Sequence, residues 1–226
     1  MTHIVTEVTA YDKKRWKVTL DEGAVIFLLY RGEMKQAGLR IPERETHAGT
    51  EAVPRDAGGQ PLQLPEEAWE KIREEILLPR AKKRALYFLK NGDKTEFQIR
   101  RKLSEAFYPP ETVDAVLEFL KHYRLADDGR YTENYVNRLK GRKSRREIEA
   151  KLYSRGLRGD AVREALAELP QEDEYSAAEK ALAGHCTGDR NKDYAYLARR
   201  GFSFDSIEHA FRVCGEETAE EETSGE

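Results

Sequence analysis

The feature that most constrains this fold is a set of apolar residues that recurs at fixed offsets in the second half of the chain. Five apolar positions within residues 99–120 reappear 49 residues later, and five positions of that second copy reappear after a further 45 residues. The first match pairs Ile99, Leu103, Val113, Leu117 and Leu120 with Ile148, Leu152, Val162, Leu166 and Leu169. The second pairs Leu152, Gly156, Leu157, Val162 and Leu166 with Leu197, Gly201, Phe202, Ile207 and Phe211. Periods of about 20 to 50 residues are typical of arrays whose units bury apolar faces against their neighbours.

Each copy has the pattern of three short helices. Thr95 before Glu96, Asp128 before Tyr131, and Ser144 three residues before Glu147 are expected helix starts, the last as a capping box. Gly156 and Gly201 are expected C-caps. The predicted helices span residues 80–91, 95–106 and 110–124, then 128–139, 144–155 and 159–169, then 173–184, 190–200 and 203–213. The sequence therefore predicts a mainly α fold of tandem three-helix repeats, at 80–124, 125–170 and 171–214, that form an elongated curved array.

Residues 1–42 predict a small N-terminal β-strand unit. Runs rich in β-branched and aromatic residues at Ile4–Val8, Trp16–Leu20 and Ala24–Leu29 are separated by turns short enough for hairpins. A short helix is expected over residues 33–38, ending at Gly38.

Three further segments complete the predicted organisation. Residues 43–64 are rich in Gly, Pro, Glu and Thr and predict a flexible linker. A connecting helix is expected from Pro65, with Trp69, Ile72 and Ile76 on one face, and Pro79 is expected to end or kink it. The acidic residues 215–226 predict a disordered tail.

The net charge of -3 hides a strong segregation of charge along the chain. Residues 1–78 carry 11 Lys+Arg against 14 Asp+Glu, residues 79–163 carry 22 against 12, and residues 164–226 carry 6 against 16. The three parts therefore have net charges of -3, +10 and -10. A basic middle is typical of a protein that meets phosphate or an acidic protein surface.

No enzyme signature is present in the sequence. There is no Gly-rich phosphate-binding loop, and Gly58-Gly59 lies in the Pro-rich linker. The adjacent Asp127 and Asp128 favour a helix cap over a two-metal site. His185, Cys186, His209 and Cys214 lack the closely spaced ligand pair that is typical of zinc sites. We therefore expect no catalytic residue, no cofactor and no metal, and we expect that the protein is not an enzyme.

The candidate binding residues are basic and lie where the first two repeats meet. They are Arg100, Arg101, Lys102, Arg138, Lys140, Arg142, Lys143, Arg145, Arg146, Lys151, Arg155 and Arg158. Six of the nine residues from Arg138 to Arg146 are basic, and such mutual repulsion is destabilising unless an outside partner supplies negative charge. For Arg100–Lys102 a solvated face is an equally good interpretation. Tyr131 and Tyr135 lie four residues apart, which favours packing between helices over base stacking.

Four segments together match a known family pattern. They are Arg84-Ala85-Leu86 with Leu89 and Thr95-Glu96, Ile99 and Lys102-Leu103; Leu125-Ala126-Asp127-Asp128 with Tyr131 and Asn134-Tyr135-Val136; Gly141 through Lys151-Leu152 with Gly156-Leu157; and Leu197-Ala198-Arg199-Arg200-Gly201-Phe202-Ser203. In these residues the chain resembles the RecX family of bacterial recombinase regulators. The resemblance covers about residues 80–213, is weaker in the N-terminal strands, and does not include the 43–64 linker or the acidic tail.

The resemblance implies a helical repeat protein that binds RecA-type recombinase filaments on DNA and has no catalysis of its own. It implies a position in the groove of the filament and inhibition of the recombination, ATPase and co-protease activities. It further implies a role in DNA repair, homologous recombination and the SOS response. On this basis the basic residues of the middle segment are expected to contact the recombinase or its DNA.

Two other functions fit the residues. One is a direct DNA-binding module in which a helix of each triplet enters the major groove, which predicts a steep salt dependence on naked duplex. The other is a structural adaptor without nucleic acid, which predicts that charge reversal from Arg142 to Arg146 has no consequence. Without a run of about 18 apolar residues or a secretory signal, and with two cysteines, we expect a cytoplasmic protein that has no membrane partner. An elongated monomer is the expected oligomeric state.

Overall fold

The computed structural model describes residues 2–39 and 59–223, with side chains as far as Cys214. It divides into two compact units, Met1–Ala126 and Asp127–Glu226. The sequence predicts seven segments, but the β unit, the connecting helix and the first repeat fold together, because one apolar core runs through all three from Val5 to Ala126.

A four-stranded antiparallel sheet opens the first unit. Its strands are β1 Thr2–Ala10, β2 Arg15–Leu20, β3 Val25–Tyr30 and β4 Gln63–Pro65, in the order β3-β2-β1-β4. The predicted meander is present, and the β1 register places Val8 opposite Val18. Val5, Val8, Val18 and Phe27 are buried, as expected for strands with one face on a core.

The C-terminal end of the predicted linker belongs to the sheet. Residues 43–58 lie outside the described residues. At the other end β4 pairs with β1, placing His3 opposite Leu64, and the Val5 amide donates to the Leu62 carbonyl at 2.9 Å. Helix α1, Arg31–Gln36, follows β3 and is followed by Gly38 with a φ of +69°. That left-handed conformation is the reason for a glycine there.

The connecting helix does not end at Pro79. Helix α2, Glu66–Lys71, runs through a π-helical segment, Ile72–Leu77, into helix α3, Leu78–Lys90. Proline donates no backbone N–H and its ring crowds the preceding turn, and the wider π turn immediately before Pro79 accommodates it while the helical chain continues. The predicted face, Trp69, Ile72 and Ile76, is buried in the core of the first unit.

Helices α4, Glu96–Ser104, and α5, Pro110–His122, complete the first repeat. The second unit contains α6 Asp128–Leu139, α7 Arg145–Tyr153, α8 Asp160–Ala167, α9 Gln171–Ala183, α10 Arg190–Arg199 and α11 Phe204–Thr223. The backbone of α11 continues through most of the segment predicted to be a disordered tail. The second and third repeats have separate apolar cores, one around Ile148 and Leu152 and one around Leu182 and Leu197.

The sequence repeat is also a repeat of hydrogen bonds. The middle helix of each repeat has an N-cap side chain in the same position, which is Thr95, Ser144 or Asp189. Each of these helices ends with the same backbone bond, from Tyr108 to Leu103, Leu157 to Leu152 and Phe202 to Leu197, at 3.1–3.3 Å. Positive φ angles precede these donors at Phe107, Gly156 and Gly201. This is the geometry of a Schellman motif, and it confirms the two predicted glycine C-caps.

One predicted cap is displaced by a residue. Asp127, not Asp128, is the N-cap of α6, since its Oδ1 accepts from the Arg130 amide at 2.9 Å. Asp128 is instead the first residue of the helix. The two carboxylates favour the same helix start, and only the backbone conformation distinguishes them.

In the described residues, no helix is both long and apolar enough to cross a membrane.

Candidate functional site

The candidate residues of the first repeat lie on α4 and have partners within their own unit. Arg100 forms an ion pair with Asp114 on α5, with 2.6 Å between Nη2 and Oδ1, and Arg101 pairs with Glu105 one turn later. The Lys102 ammonium lies 5.3 Å from the centre of the Phe88 ring. All three contacts are ordinary for a solvated helix face, and exposed pairs of this kind contribute little stability.

Cation–π contacts hold three of the candidates in the second unit. The guanidiniums of Arg138 and Arg155 lie 4.9 and 4.5 Å from the centre of the Tyr135 ring, and Arg158 lies 3.9 Å from the ring of Tyr153. Arg155 also donates from Nε to the Tyr131 hydroxyl at 3.2 Å.

The two tyrosines of α6 pack as expected from their spacing. The rings of Tyr131 and Tyr135 are nearly parallel, with centres 5.9 Å apart, and Tyr135 is buried in the core of the second repeat. The preference for packing over base stacking is therefore supported for Tyr135.

Arg145 contacts the end of the second repeat and the start of the third. Its Nη2 donates to the Leu169 carbonyl at 2.6 Å, and its Nε lies 3.4 Å from Oε2 of Glu174 on α9. The Nε contact is an ion pair without hydrogen-bond alignment. The Glu174 side chain is only 7% exposed, so Arg145 supplies the opposite charge that a buried carboxylate requires.

Ser144 joins the second and third repeats through the same hydroxyl that caps α7. The Glu147 amide donates to Oγ at 3.1 Å, and Oγ donates to the Arg200 carbonyl at 2.6 Å. The predicted N-cap is present, but the capping box is incomplete, because the Glu147 carboxylate contacts Lys143 and Arg200 instead of the Ser144 amide. Next to this junction the Gly201 backbone packs on Arg146, where an added Cβ would lie 2.8 Å from the Arg146 Cβ.

Three basic side chains surround the carboxylate of Glu147. Its carboxylate lies 2.9 Å from Lys143 Nζ, 3.8 Å from Lys151 Nζ and 3.3 Å from Arg200 Nη2. Burial acts to raise the pKa of Glu147, but hydrogen bonds from Lys143 and Arg200 outweigh it, so that this pKa lies below its ordinary value. Two candidates, Lys143 and Lys151, are therefore compensated inside the unit.

Three candidates are exposed and have neither an ion pair nor a cation–π contact with another described residue. Lys140 and Arg142 lie in the turn between α6 and α7, and Arg146 lies in the first turn of α7. No hydrogen bond or ion pair joins their side chains to another described residue of the unit, although the stem of Arg146 packs on Gly201. Which candidates bind a partner stays a prediction, and these three residues are called here the exposed trio.

Sequence reasoning missed the acids that neutralise the basic segment. Glu147 lies four residues from both Lys143 and Lys151, a spacing that places side chains on one helix face and could have been recognised. Glu174 and Arg145 are 29 residues apart, on different repeats, and no local pattern connects them.

The weak metal candidates are engaged elsewhere. His185 stacks on Tyr196 with ring centres 3.7 Å apart, and His209 Nε2 lies 2.9 Å from Glu179. In the described part of the chain, no three His, Cys, Asp or Glu side chains converge in a group that could hold a metal ion.

Comparisons with known proteins agree with the motifs. Residues 81–120 match a family model described as RecX, first three-helix domain. A regulatory protein RecX of Chromohalobacter salexigens is 30% identical over 142 residues, which cover 59% of this chain and 92% of that relative. One from Herbaspirillum seropedicae is 29% identical over 137 residues, which cover 58% of this chain and 89% of the relative.

Two solved structures share the fold. A crystal structure of regulatory protein RecX matches 93% of this chain and 99% of its own with a TM-score of 0.57 and 21% identity. The structure of RecX from Lactobacillus salivarius matches 60% of this chain and 95% of its own with a TM-score of 0.51 and 22% identity. The fold is therefore mainly helical with a small N-terminal sheet, as the sequence predicts. Since the Chromohalobacter salexigens relative is 30% identical and is matched over 92% of its length, the chain belongs to the RecX family of regulatory proteins.

Proposed function

We propose that this chain binds filaments of a RecA-type recombinase on DNA and inhibits their recombination, ATPase and co-protease activities. The observation that carries the proposal is its membership of a family whose members are named regulatory protein RecX. The proposal assigns the protein a regulatory role in DNA repair, homologous recombination and the SOS response, in the cytoplasm and as a monomer.

The exposed trio is the part of the basic segment that we assign to the partner. Lys140, Arg142 and Arg146 fall within a stretch of seven residues and have no internal anion among the described residues. Bringing a phosphate or a carboxylate surface to them relieves their mutual repulsion, and the contact adds Coulomb attraction that salt screens. Lys143 and Arg145 hold Glu147 and Glu174 and are assigned to the junction of the repeats instead.

The test is the single-stranded-DNA-dependent ATPase of a RecA-type recombinase as the full chain is titrated in. We expect the natural protein to inhibit. The triple variant Lys140→Glu, Arg142→Glu and Arg146→Glu is expected to need at least tenfold more protein for half inhibition, because three attractive contacts become repulsive.

A matched control reverses three exposed charges elsewhere in the same unit. The variant Arg130→Glu, Arg163→Glu and Arg199→Glu has the same net charge as the test variant, and each of its three sites is exposed. It should inhibit as the natural chain does. Equal loss in both variants would show that net charge alone acts, and no inhibition by the natural chain would reject the proposed function.

Direct DNA binding without a recombinase is the alternative that the same proteins test. It predicts tight binding of the natural chain to naked duplex, with a steep fall in affinity as salt rises. Strong duplex binding without an effect on the ATPase would favour it over the proposed function.

A further inference from the structure

A concave cleft of about 590 Å³ lies in the first unit, between the sheet and the first repeat. Arg15 and Tyr30 form the sheet side, α3 forms a second wall, and Ala106 and Tyr108 after α4 form a third. None of its lining residues belongs to the basic segment at 138–158. The cleft therefore differs from the site proposed above.

Four cations line the cleft, and no described acidic residue does. Two of them are already committed to the fold. Arg80 donates to the Leu28 carbonyl at 2.6 Å and to the Tyr108 hydroxyl at 3.2 Å, and it also binds Glu33, while Arg15 pairs with Asp12.

The other two cations, Lys83 and Arg84, are exposed on α3. No ion pair joins either to another described residue, and the Arg84 guanidinium lies 5.6 Å from the centre of the Phe88 ring. Both lie on α3, which packs into the core of the unit through the buried Ala81 and Ala85. The cleft thus offers two positive charges on a rigid element.

An exposed aromatic ring lies next to these cations. Tyr87 follows Lys83 by four residues and Arg84 by three, so all three side chains share one face of α3. Its side chain is 65% exposed, the largest exposure among the large hydrophobic residues of the described chain. Across the cleft Tyr30 is 42% exposed, and Arg80 lies against its ring.

We propose that this cleft binds unstacked nucleotides of a single nucleic-acid strand, with a base on the ring of Tyr87 and phosphates on Lys83 and Arg84. The inference does not rest on the proposed function, because it involves other residues and no recombinase.

The spacing of charge and ring favours a single strand over other anions. A nucleotide joins a flat base to a phosphate through one sugar, which suits a ring and two cations one helical turn apart. A duplex keeps its bases stacked inside and cannot place one on Tyr87. An acidic peptide would satisfy the cations but has no planar group to cover the ring.

Binding of fluorescein-labelled (dT)8 to the full chain, followed by anisotropy over a salt series, tests the affinity. Tyr87→Ala should weaken binding about tenfold and Tyr87→Phe should not, because stacking needs the ring and not the hydroxyl. Because log K falls as log salt rises, the double variant Lys83→Gln and Arg84→Gln should make this slope less negative by about 1.4. That is the value for two lost contacts to single-strand phosphates.

The matched control is the pair Lys35→Gln and Lys71→Gln, which removes two exposed charges of the same unit outside the cleft. It should leave both affinity and slope unchanged. Because the second unit is also basic, the site is located independently by replacing one thymine with 5-iodouracil and mapping the photocrosslink. We expect the crosslinked peptide to contain Tyr87 or Tyr30.

Three results would overturn the inference. The first is an unchanged affinity of Tyr87→Ala together with crosslinks confined to residues 127–214. The second is displacement of (dT)8 by octaglutamate at equal concentration, which would show a site for charge alone. The third is displacement by dTMP at equal nucleotide concentration, which would show a site for a free nucleotide instead of a strand. None of these results depends on recombinase inhibition.

Discussion

The guanidinium of Arg145 neutralises the buried carboxylate of Glu174 across the junction of the second and third repeats. Arg145 Nε lies 3.4 Å from Glu174 Oε2, and the side chains are 33% and 7% exposed. The neighbouring Arg146 is exposed and has no such anion among the described residues. Two adjacent arginines of one basic segment therefore have different tasks, one in the fold and one available to a partner.

Charge reversal separates these two tasks. Arg145→Glu places two carboxylates together and removes the hydrogen bond to Leu169, so we expect the free energy of unfolding to fall by about 3 kcal/mol. Arg146→Glu, at an exposed site, should change it by less than about 0.5 kcal/mol. Urea unfolding followed by far-UV circular dichroism measures both. Equal midpoints for the two variants would contradict the assignment of Arg145 to the fold.

The sequence predicts the repeat frame well because the signals are local. Thr95 and Ser144 each cap a helix through bonds three residues long, and Leu103 and Leu152 mark helix faces by their period. Contacts between distant parts of the chain have no such local signal. Strand β4 pairs with β1 about 60 residues away, and no local pattern near Leu64 predicts that pairing.

The third repeat has a buried acidic residue at a position where the repeat pattern predicts an apolar one. The offset of 45 places Asp193 where the second repeat has the core residue Ile148. Asp193 is 2% exposed and accepts hydrogen bonds from the Thr187 amide at 3.1 Å and hydroxyl at 2.8 Å. A buried carboxylate is tolerated there because the preceding loop folds over it with donors. The polar contact depends on loop geometry and not on helical period.

At the candidate site, the sequence likewise does not show which charges are paired. Counting charges identifies the basic segment but cannot say which cations already have anions. Lys143 and Arg145 do, through Glu147 and Glu174, while Lys140 and Arg142 do not among the described residues. For Arg145 and Glu174, which lie on different repeats, only the folded arrangement makes that distinction.

Replacement of Ser144 should destabilise the second unit more than loss of a helix cap alone. Ser144→Ala removes the bond from the Glu147 amide and the bond to the Arg200 carbonyl, for an expected cost of about 2 kcal/mol. Ser154→Ala is the control, because that exposed hydroxyl donates only within its own helix, to Lys151. Urea unfolding of the two variants compares the costs. A Ser144→Ala midpoint equal to that of Ser154→Ala would show that neither the cap nor the junction bond contributes.

Glu147 should make the second unit sensitive to acid. Its pKa is lower in the folded chain than in the unfolded chain, because hydrogen bonds from Lys143 and Arg200 outweigh the effect of burial. The stability that this provides is present above the unfolded value of about 4.3 and is lost as pH falls through the lower, folded value. The stability difference between the natural chain and Glu147→Gln should therefore shrink as pH falls below about 4.3.

Unfolding midpoints in urea at a series of pH values from 7 downward measure this effect. Glu149→Gln, on the exposed face of the same helix, is the control and should follow the natural chain at every pH. A difference between the natural chain and Glu147→Gln that stays constant with pH would contradict the role given to the carboxylate.

Position 201 requires a glycine for two reasons, its positive φ and its close contact with Arg146. Its φ of +81° strains any residue with a Cβ, and a Cβ there would lie 2.8 Å from Cβ and 2.9 Å from Cδ of Arg146. The Arg146 Cβ is fixed by the backbone of α7, so Gly201→Ala must push α7 and the third repeat apart.

Gly188, in the same unit, has a similar φ of +79° and nothing within 4 Å of the added Cβ. Gly188→Ala should therefore cost about 1 kcal/mol from strain alone. Gly201→Ala should add about 1 to 3 kcal/mol of overpacking to that strain, and its urea midpoint should lie clearly below that of Gly188→Ala.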